Sequence, residues 1–416
     1  MMRKFPPVLR AVTAAAAVLT GAMTGHVAAA AVQPAMPAPE HNVAVTGSVG
    51  APASAAKITI MPGGGAAGTS ITKGAEVSVS GAKLTSVVLT SLPSGTHSVG
   101  TASPGGTLRD ADTAPARGTA PTVKATAEEA RGRTVAEAAS FATVDAGHSF
   151  IGSVTPKDGS RVGVGMPVSI TFDKPITDKE AVQSHITVVS SSGQRAVGHW
   201  FGASRLDLRP RTYWKPGSDI TVRLALDGVR GAKGITGVQN KTVRFHVGRS
   251  QISVVDVRRK TMTVIRDGKR IKTLPLSAGA AATPTYNGQM VISQKEQQMR
   301  MRGDTVGFTD KDGKPAYDIP DVPHALRLST SGTFLHGNYW ADKRVFGSAN
   351  TSHGCIGLND VQGGKDPSTP AAWFFDQSLI GDVVIVKNSG GTTIKPDNGL
   401  GDWNMPWNTW KAGSAA

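Results

Sequence analysis

Thr333-Phe334-Leu335-His336-Gly337 and, a short interval later, Ser352-His353-Gly354-Cys355-Ile356-Gly357-Leu358 decide how this chain is to be read. Cys355 is the only cysteine in 416 residues. A lone cysteine is in general a small buried hydrophobe, but the histidines and glycines around this one reverse that reading. A sulfur nucleophile needs a base, a group that orients the base, and donors for a developing oxyanion. His336, expected at a strand end, supplies the base. Gly354 allows a tight turn, so the amides of Gly354 and Cys355 can face the oxyanion. No Asp or Asn is an evident third member. A backbone carbonyl near Gly337 can orient the imidazole instead, because a ring N–H needs only an acceptor. His353 stays open between a role beside the thiol and a packed structural histidine. A zinc set of His336, His353 and Cys355 lacks a usual ligand spacing, and neither a metal nor any other cofactor is expected.

Outward from this stretch, the N-terminus has the three-part layout of a secretory signal peptide over 1–30: Arg3, Lys4 and Arg10, an apolar run from Ala11 to Met23, then Ala28-Ala29-Ala30-Ala31. The apolar run is short for a bilayer span. Without a cysteine near the cleavage site, a lipid anchor through that residue is excluded. An exported, extracytoplasmic protein is expected, held near the wall or the outer face of the plasma membrane. The net charge of +15 suits an anionic cell envelope. Nucleic acid is not expected as a partner, because no recognition helix, zinc spacing or stacking sheet is visible.

The length calls for several domains. Residues 31–55, rich in Ala, Pro, Gly and Val, read as a linker. Short β-like runs with turn residues between them predict one sandwich over 56–146 (Lys57–Ile60, Glu76–Val79, Ser86–Leu89) and a second over 147–249 (Ser169–Phe172, Ile186–Val189, Asp219–Leu224, Thr242–Phe245). Ala125 to Ala139 looks helical, as a short element or an elaborated loop. From Gln251 a meander of hairpins opens a domain over 250–388. Within it, 297–321 has little period and reads as a flap. Asp382–Val386 closes that domain. The tail, 389–416, carries Trp403, Trp407 and Trp410, which either anchor a small subdomain or line a glycan groove.

The string from His336-Gly337 to Ser352-His353-Gly354-Cys355-Ile356-Gly357-Leu358 resembles the active-site signature of the L,D-transpeptidases, the YkuD family. Val164-Gly165-Met166-Pro167, Trp214-Lys215-Pro216-Gly217 and Gly399-Leu400-Gly401-Asp402-Trp403-Asn404-Met405-Pro406-Trp407 extend the likeness to the mycobacterial-type enzymes. The likeness covers nearly everything after the signal peptide and is weakest before residue 147. It implies a mainly β fold: two immunoglobulin-like β-sandwiches, then a YkuD-type catalytic β-domain with a small C-terminal subdomain. It also implies acyl transfer between peptidoglycan stem peptides. Cys355 would attack a tetrapeptide donor at the carbonyl of its third residue, D-alanine would leave, and the diamino-acid side chain of a second stem would resolve the thioester as a 3→3 cross-link. Carbapenems, a class of β-lactam, would acylate the same thiol. Matching the family pattern places Tyr317, Ser331, Gly332 and Ser352 at the substrate, with Trp340 near the pocket mouth.

Two departures from the family stand out. Relatives usually carry Asn or Arg two residues after the cysteine, where this chain has Gly357, so that contact is either missing or supplied by Asn359. Some relatives hold calcium in a loop matching Arg230-Gly231-Ala232-Lys233-Gly234, which here has no carboxylate to ligate a hard cation. Two other functions remain open at this point. One is an L,D-carboxypeptidase or thiol hydrolase using the same acyl-enzyme. The other is a non-catalytic wall-binding protein.

Overall fold

The computed structural model describes residues 56–69, 75–91, 96–99, 107–108 and 117–416. The expected signal peptide and linker lie outside them. Among the described residues no helix is long and apolar enough to cross a membrane.

The first sandwich faces a three-stranded sheet against a four-stranded one. Lys57–Met61 pairs with Glu76–Ser80 in the first; Lys83–Ser91, Thr122–Glu128 and Thr134–Ser140 lie in the second. The helix expected at Ala125–Ala139 is instead a hairpin of those last two strands. Alanine hid the alternation: Val123, Ala125 and Ala127 all point inward and are fully buried, while Lys124 and Glu128 point out. Glu129–Arg133 makes the turn, closed by backbone hydrogen bonds and a Glu129–Arg133 ion pair.

In the second sandwich, two four-stranded sheets enclose a core of Phe150, Ile170, Leu206, Trp214 and Ile220. The Trp214 indole N–H donates to the Met166 carbonyl at 2.7 Å, which satisfies its one polar atom inside that core. Arg230–Gly234, the loop matched to a calcium site, lies in a small hairpin where Arg230 pairs with Asp178.

A single nine-stranded sheet forms the third domain. Its strands are β1 (Gln251–Asp256), β2 (Thr261–Arg266), β3 (Lys269–Ser277), β4 (Gly288–Val291), β5 (Gln294–Arg302), β6 (Asp318–Arg327), β7 (Phe334–Asn338), β8 (Ile356–Asn359) and β9 (Val383–Lys387). They run in the spatial order β4-β9-β1-β2-β3-β8-β7-β6-β5. All neighbours are antiparallel except β1 with β9 and β7 with β8. Helix α1 (Pro370–Gln377) packs Ala371, Phe374 and Phe375 into the core, its first turn capped by the Thr369 hydroxyl. The segment read as a flap of little period holds much of β5 and the start of β6, a long hairpin whose mixed composition reflects an exposed ribbon. Only its tip, 303–317, is irregular.

The tail lies against the second sandwich. Trp403 donates to the Gly165 carbonyl and Trp410 to the Val197 carbonyl, each at 2.8 Å. Both indoles are buried, so the glycan-groove alternative fails for them. Between them sits Arg209, 2% exposed, its guanidinium 4.2 Å from the Trp410 ring and 4.6 Å from the Trp403 ring. A charge this deep is tolerated because aromatic faces and the carbonyls of Asp402 and Met405 replace its water. Burial still lowers its pKa to about 10. Trp410→Ala should cost about 3–5 kcal/mol, read as a fall in the thermal midpoint. Unchanged melting would show that the tail's docking adds little to stability.

Candidate active site

Parallel pairing of β7 with β8 sets Leu335 opposite Ile356, His336 opposite Gly357 and Asn338 opposite Asn359. Side chains alternate across a strand. Leu335, Ile356 and Leu358 therefore enter the core. Phe334, His336 and Asn338 face the other way, beside Cys355, Gly357 and Asn359. His336 is thus in mid-strand, not at the strand end expected for it. One step back along the same register, Cys355 lies beside Phe334 and packs with Met301, Tyr317 and Ile319.

His336 and Cys355 open into one cavity of about 280 Å³, shared with Tyr317, Asn338, Trp340, Ser352, His353 and Gly357. The His336 Nδ1–H donates to the Gly337 carbonyl at 2.8 Å, the backbone orientation anticipated from the sequence. That bond fixes the tautomer and leaves Nε2 as the acceptor. Trp340, 45% exposed, stacks on the imidazole at 5.7 Å and 18°. Burial pushes the His336 pKa down, opposed in part by the Gly337 carbonyl and the Asp360 charge. Burial also pushes the Cys355 thiol up to about 11, opposed in part by the Phe334 backbone. The resting pair is therefore a neutral thiol and a neutral imidazole. The thiol donates to the Gly332 carbonyl at 3.6 Å.

Ser352 does more than mark the motif. Its hydroxyl donates to the Cys355 carbonyl at 2.6 Å and accepts from the Gly354 N–H at 3.1 Å, bracing the turn from within. Gly354, at φ +116°, permits that turn. The Gly354 amide is thus engaged, which corrects the expectation of a two-amide oxyanion site. Among the described residues the Cys355 N–H meets no acceptor, and it is the amide free for that role.

His353 is exposed rather than packed in a core, with the rings of Tyr317 and Phe308 at 5.2 and 5.6 Å. It borders both the first cavity and a second of about 430 Å³ lined by Ser331, Gly332, Gly354 and Phe308. Tyr317, whose hydroxyl is pushed up to about 12 by burial and then by the Cys355 charge, stands beside the thiol. Asn359 does not line the first cavity, whereas Asn338, its partner across the β7–β8 pairing, does. Among the described residues no three His, Cys, Asp or Glu side chains converge as a metal cage requires, so His336, His353 and Cys355 do not form one.

Sequence reasoning missed a buried pair behind β7. The His324 Nδ1–H donates to Asp360 Oδ2 at 2.7 Å, and Asp360 Oδ1 accepts from the Thr369 hydroxyl at 3.0 Å. A side chain at Gly337 would place its Cβ 2.0 Å from Asp360 Oδ2, so the residue after the base must be glycine here. The signal available was Asp360 itself, a carboxylate directly after a buried strand, which has to find partners.

Comparison with known proteins places these features in context. A bacterial Ig domain model matches residues 66–230, and an L,D-transpeptidase catalytic domain model matches residues 250–386. L,D-transpeptidase 2 of Mycobacterium tuberculosis (strain CDC 1551 / Oshkosh) is 34% identical over 275 residues, 66% of this chain and 65% of that protein. This chain thus spans a little under two thirds of that relative's length. L,D-transpeptidase 1 of Mycobacterium tuberculosis (strain H37Rv) is 32% identical over 240 residues, 57% of this chain and 84% of that protein. Among solved structures, the LD transpeptidase LdtMt1 in complex with imipenem is similar at a TM-score of 0.47 and 31% identity, over 56% of this chain and 97% of that one.

The neutral resting pair has a measurable consequence. Iodoacetamide labelling of Cys355 should accelerate with rising pH towards about 11, because the reactive thiolate appears only there. A preformed thiolate–imidazolium pair would instead give near-maximal labelling at about pH 6. Separately, Gly337→Ala should cost about 1–3 kcal/mol through the clash with Asp360 and should slow active-site acylation. A variant with wild-type melting and rate would contradict that contact.

Proposed function

Because this chain belongs to the L,D-transpeptidase family, we propose that it joins peptidoglycan stem peptides by 3→3 cross-links through a thioester on Cys355. The observation that carries this reading is His336: its Nδ1–H is held by the Gly337 carbonyl, which leaves Nε2 as the acceptor, and the residue lines the same cavity as the thiol. A tetrapeptide donor occupies that cavity. As Sγ attacks the carbonyl of the third residue, its proton passes to Nε2, and the Cys355 N–H stabilises the oxyanion. Collapse breaks the bond to D-alanine, whose amine takes the proton from the imidazole. The amine of a second stem then attacks the thioester and loses a proton to His336, and the thiol leaves reprotonated.

The second cavity suits transfer. It reaches the same turn through Gly354 and His353, beside Val306 and Phe308 of the flap tip, and so offers an acceptor amine a separate approach. Carbapenems enter as acyl donors, since their strained lactam presents the same electrophilic carbon. Export to an anionic envelope fits the N-terminal Arg-apolar-Ala pattern and the +15 charge.

Intact mass of the protein after incubation with a carbapenem should show a one-drug adduct, absent from Cys355→Ala. With a tetrapeptide and an acceptor stem, wild type should release D-alanine and form the 3→3 dimer. D-alanine release with no dimer at any acceptor concentration would make the protein a hydrolase. No adduct on folded protein would remove the enzymatic reading.

A further inference from the structure

We propose that Asn338 is a substrate-binding residue of the first cavity, donating a hydrogen bond from its side-chain Nδ2 to a peptide carbonyl oxygen of the acyl donor. This rests on the acyl-transfer reading above and adds a specific contact to it.

Asn338 lies two residues after the base on β7, so it shares the face of His336. It is 7% exposed, and what remains uncovered borders the cavity that holds the thiol. Its Oδ1 accepts from the Ala341 N–H at 3.0 Å. An N–H can only donate, so that bond settles which end of the amide is oxygen and turns the NH2 group the other way. Among the described residues no protein acceptor meets that NH2.

The neighbouring strand explains why this donor is accessible. Gly357 sits opposite His336, and a Cβ built there would lie 3.4 Å from Asn338 Nδ2. Any longer side chain at 357 would rise over the amide. Glycine leaves the donor bare and lets Asn338 lean across the position where residue 357 would otherwise project. The amide function absent from 357 is thus present on the adjacent strand, beside the base and within the same cavity.

The surroundings select the ligand atom. Trp340, Met301 and Ile319 supply apolar wall, and the imidazole beside the amide is neutral in the resting site. A neutral donor in such a wall matches a peptide carbonyl. An occupant without an acceptor there would leave the amide desolvated and unpaired.

Asn338→Asp and Asn338→Ala separate this role from a structural one. Asp is nearly isosteric and keeps an oxygen for the Ala341 N–H, but it has no N–H to offer. Kinetics of D-alanine release and dimer formation are measured at about pH 8, so that a carboxylate beside His336 leaves the base neutral. We expect both variants to raise KM for the tetrapeptide donor, with kcat/KM falling roughly ten-fold, while KM for the acceptor stem stays put and both variants remain folded by circular dichroism at the assay temperature. If Asn338→Asp matches wild type and only Asn338→Ala is impaired, the residue merely holds the 338–341 loop and the inference falls. If the acceptor KM moves instead, the contact is assigned to the wrong substrate and the inference also falls. If wild type itself forms neither carbapenem adduct nor D-alanine, it is the acyl-transfer reading that has failed, and this contact fails with it.

Discussion

The parallel pairing of β7 with β8 is the constraint on which the active site depends. His336 and Cys355 become neighbours because β7, which carries the first, and β8, which the second immediately precedes, lie side by side in one register. Parallel neighbours cannot be joined by a tight turn, so a long connection is obligatory. Here that connection, 339–355, does several jobs. It carries Trp340 back over the imidazole, is pinned to β3 through Asn350, Thr351 and Ser352, and ends in the turn that presents Cys355. A slip of one residue would send His336 into the core and Leu335 into the cavity, so the apolar positions Leu335, Ile356 and Leu358 hold the register that chemistry needs.

Burial then sets the electronic state of the pair. The apolar cluster around Cys355 raises the cost of a thiolate, and the depth of His336 raises the cost of an imidazolium. Both groups rest uncharged. In the acyl transfer proposed above, the pair would gain its charges only as the thiol attacks, with the oxyanion beside the Cys355 amide and the imidazolium against the Gly337 carbonyl. Asp360 contributes from behind: its charge favours the imidazolium, and it is kept in place by His324 and Thr369. A thiol kept uncharged is also a slower target for oxidation, which proceeds through the thiolate.

Much of this was legible in the sequence. The His-Gly and Ser-His-Gly-Cys strings pointed to His336 and Cys355, which the fold brings to one cavity, and the carbonyl that orients the imidazole was anticipated as the alternative to a missing carboxylate. Strand runs built on Val, Ile and Thr were readable from alternation. Ala125–Ala139 was not, since alanine is the strongest helix former and is depleted in strands, so its small side chains both biased the reading and flattened the alternation. Asn338 was missed for a different reason. With His336 placed at a strand end there was no cause to look two residues further along the same face, and the amide was sought at Asn359 instead. Ser352 and Gly354 were read by motif, and only coordinates could show that the serine hydroxyl consumes the glycine amide. The Asp360–His324 contact spans elements far apart in the chain and has no local signature at all.

The second sandwich is more than a spacer, and a continuous series of contacts shows why. Arg205, on one of its sheets, donates to the carbonyls of Asp397 and Gly399 in the tail, at 3.2 and 2.8 Å. Between those two residues, Asn398 accepts from the Thr330 hydroxyl and the Ser331 N–H through Oδ1, and donates to the Ser331 hydroxyl through Nδ2. The next residue, Gly332, offers the carbonyl that receives the Cys355 thiol. The loop that holds the nucleophile's proton in the resting state is therefore braced by the tail, and the tail by the sandwich, with Trp403 and Trp410 as its buried anchors. A loop on the surface of a sheet would otherwise be among the softer parts of the domain. The Gly332 carbonyl is thus fixed by a chain of contacts that begins outside the catalytic sheet.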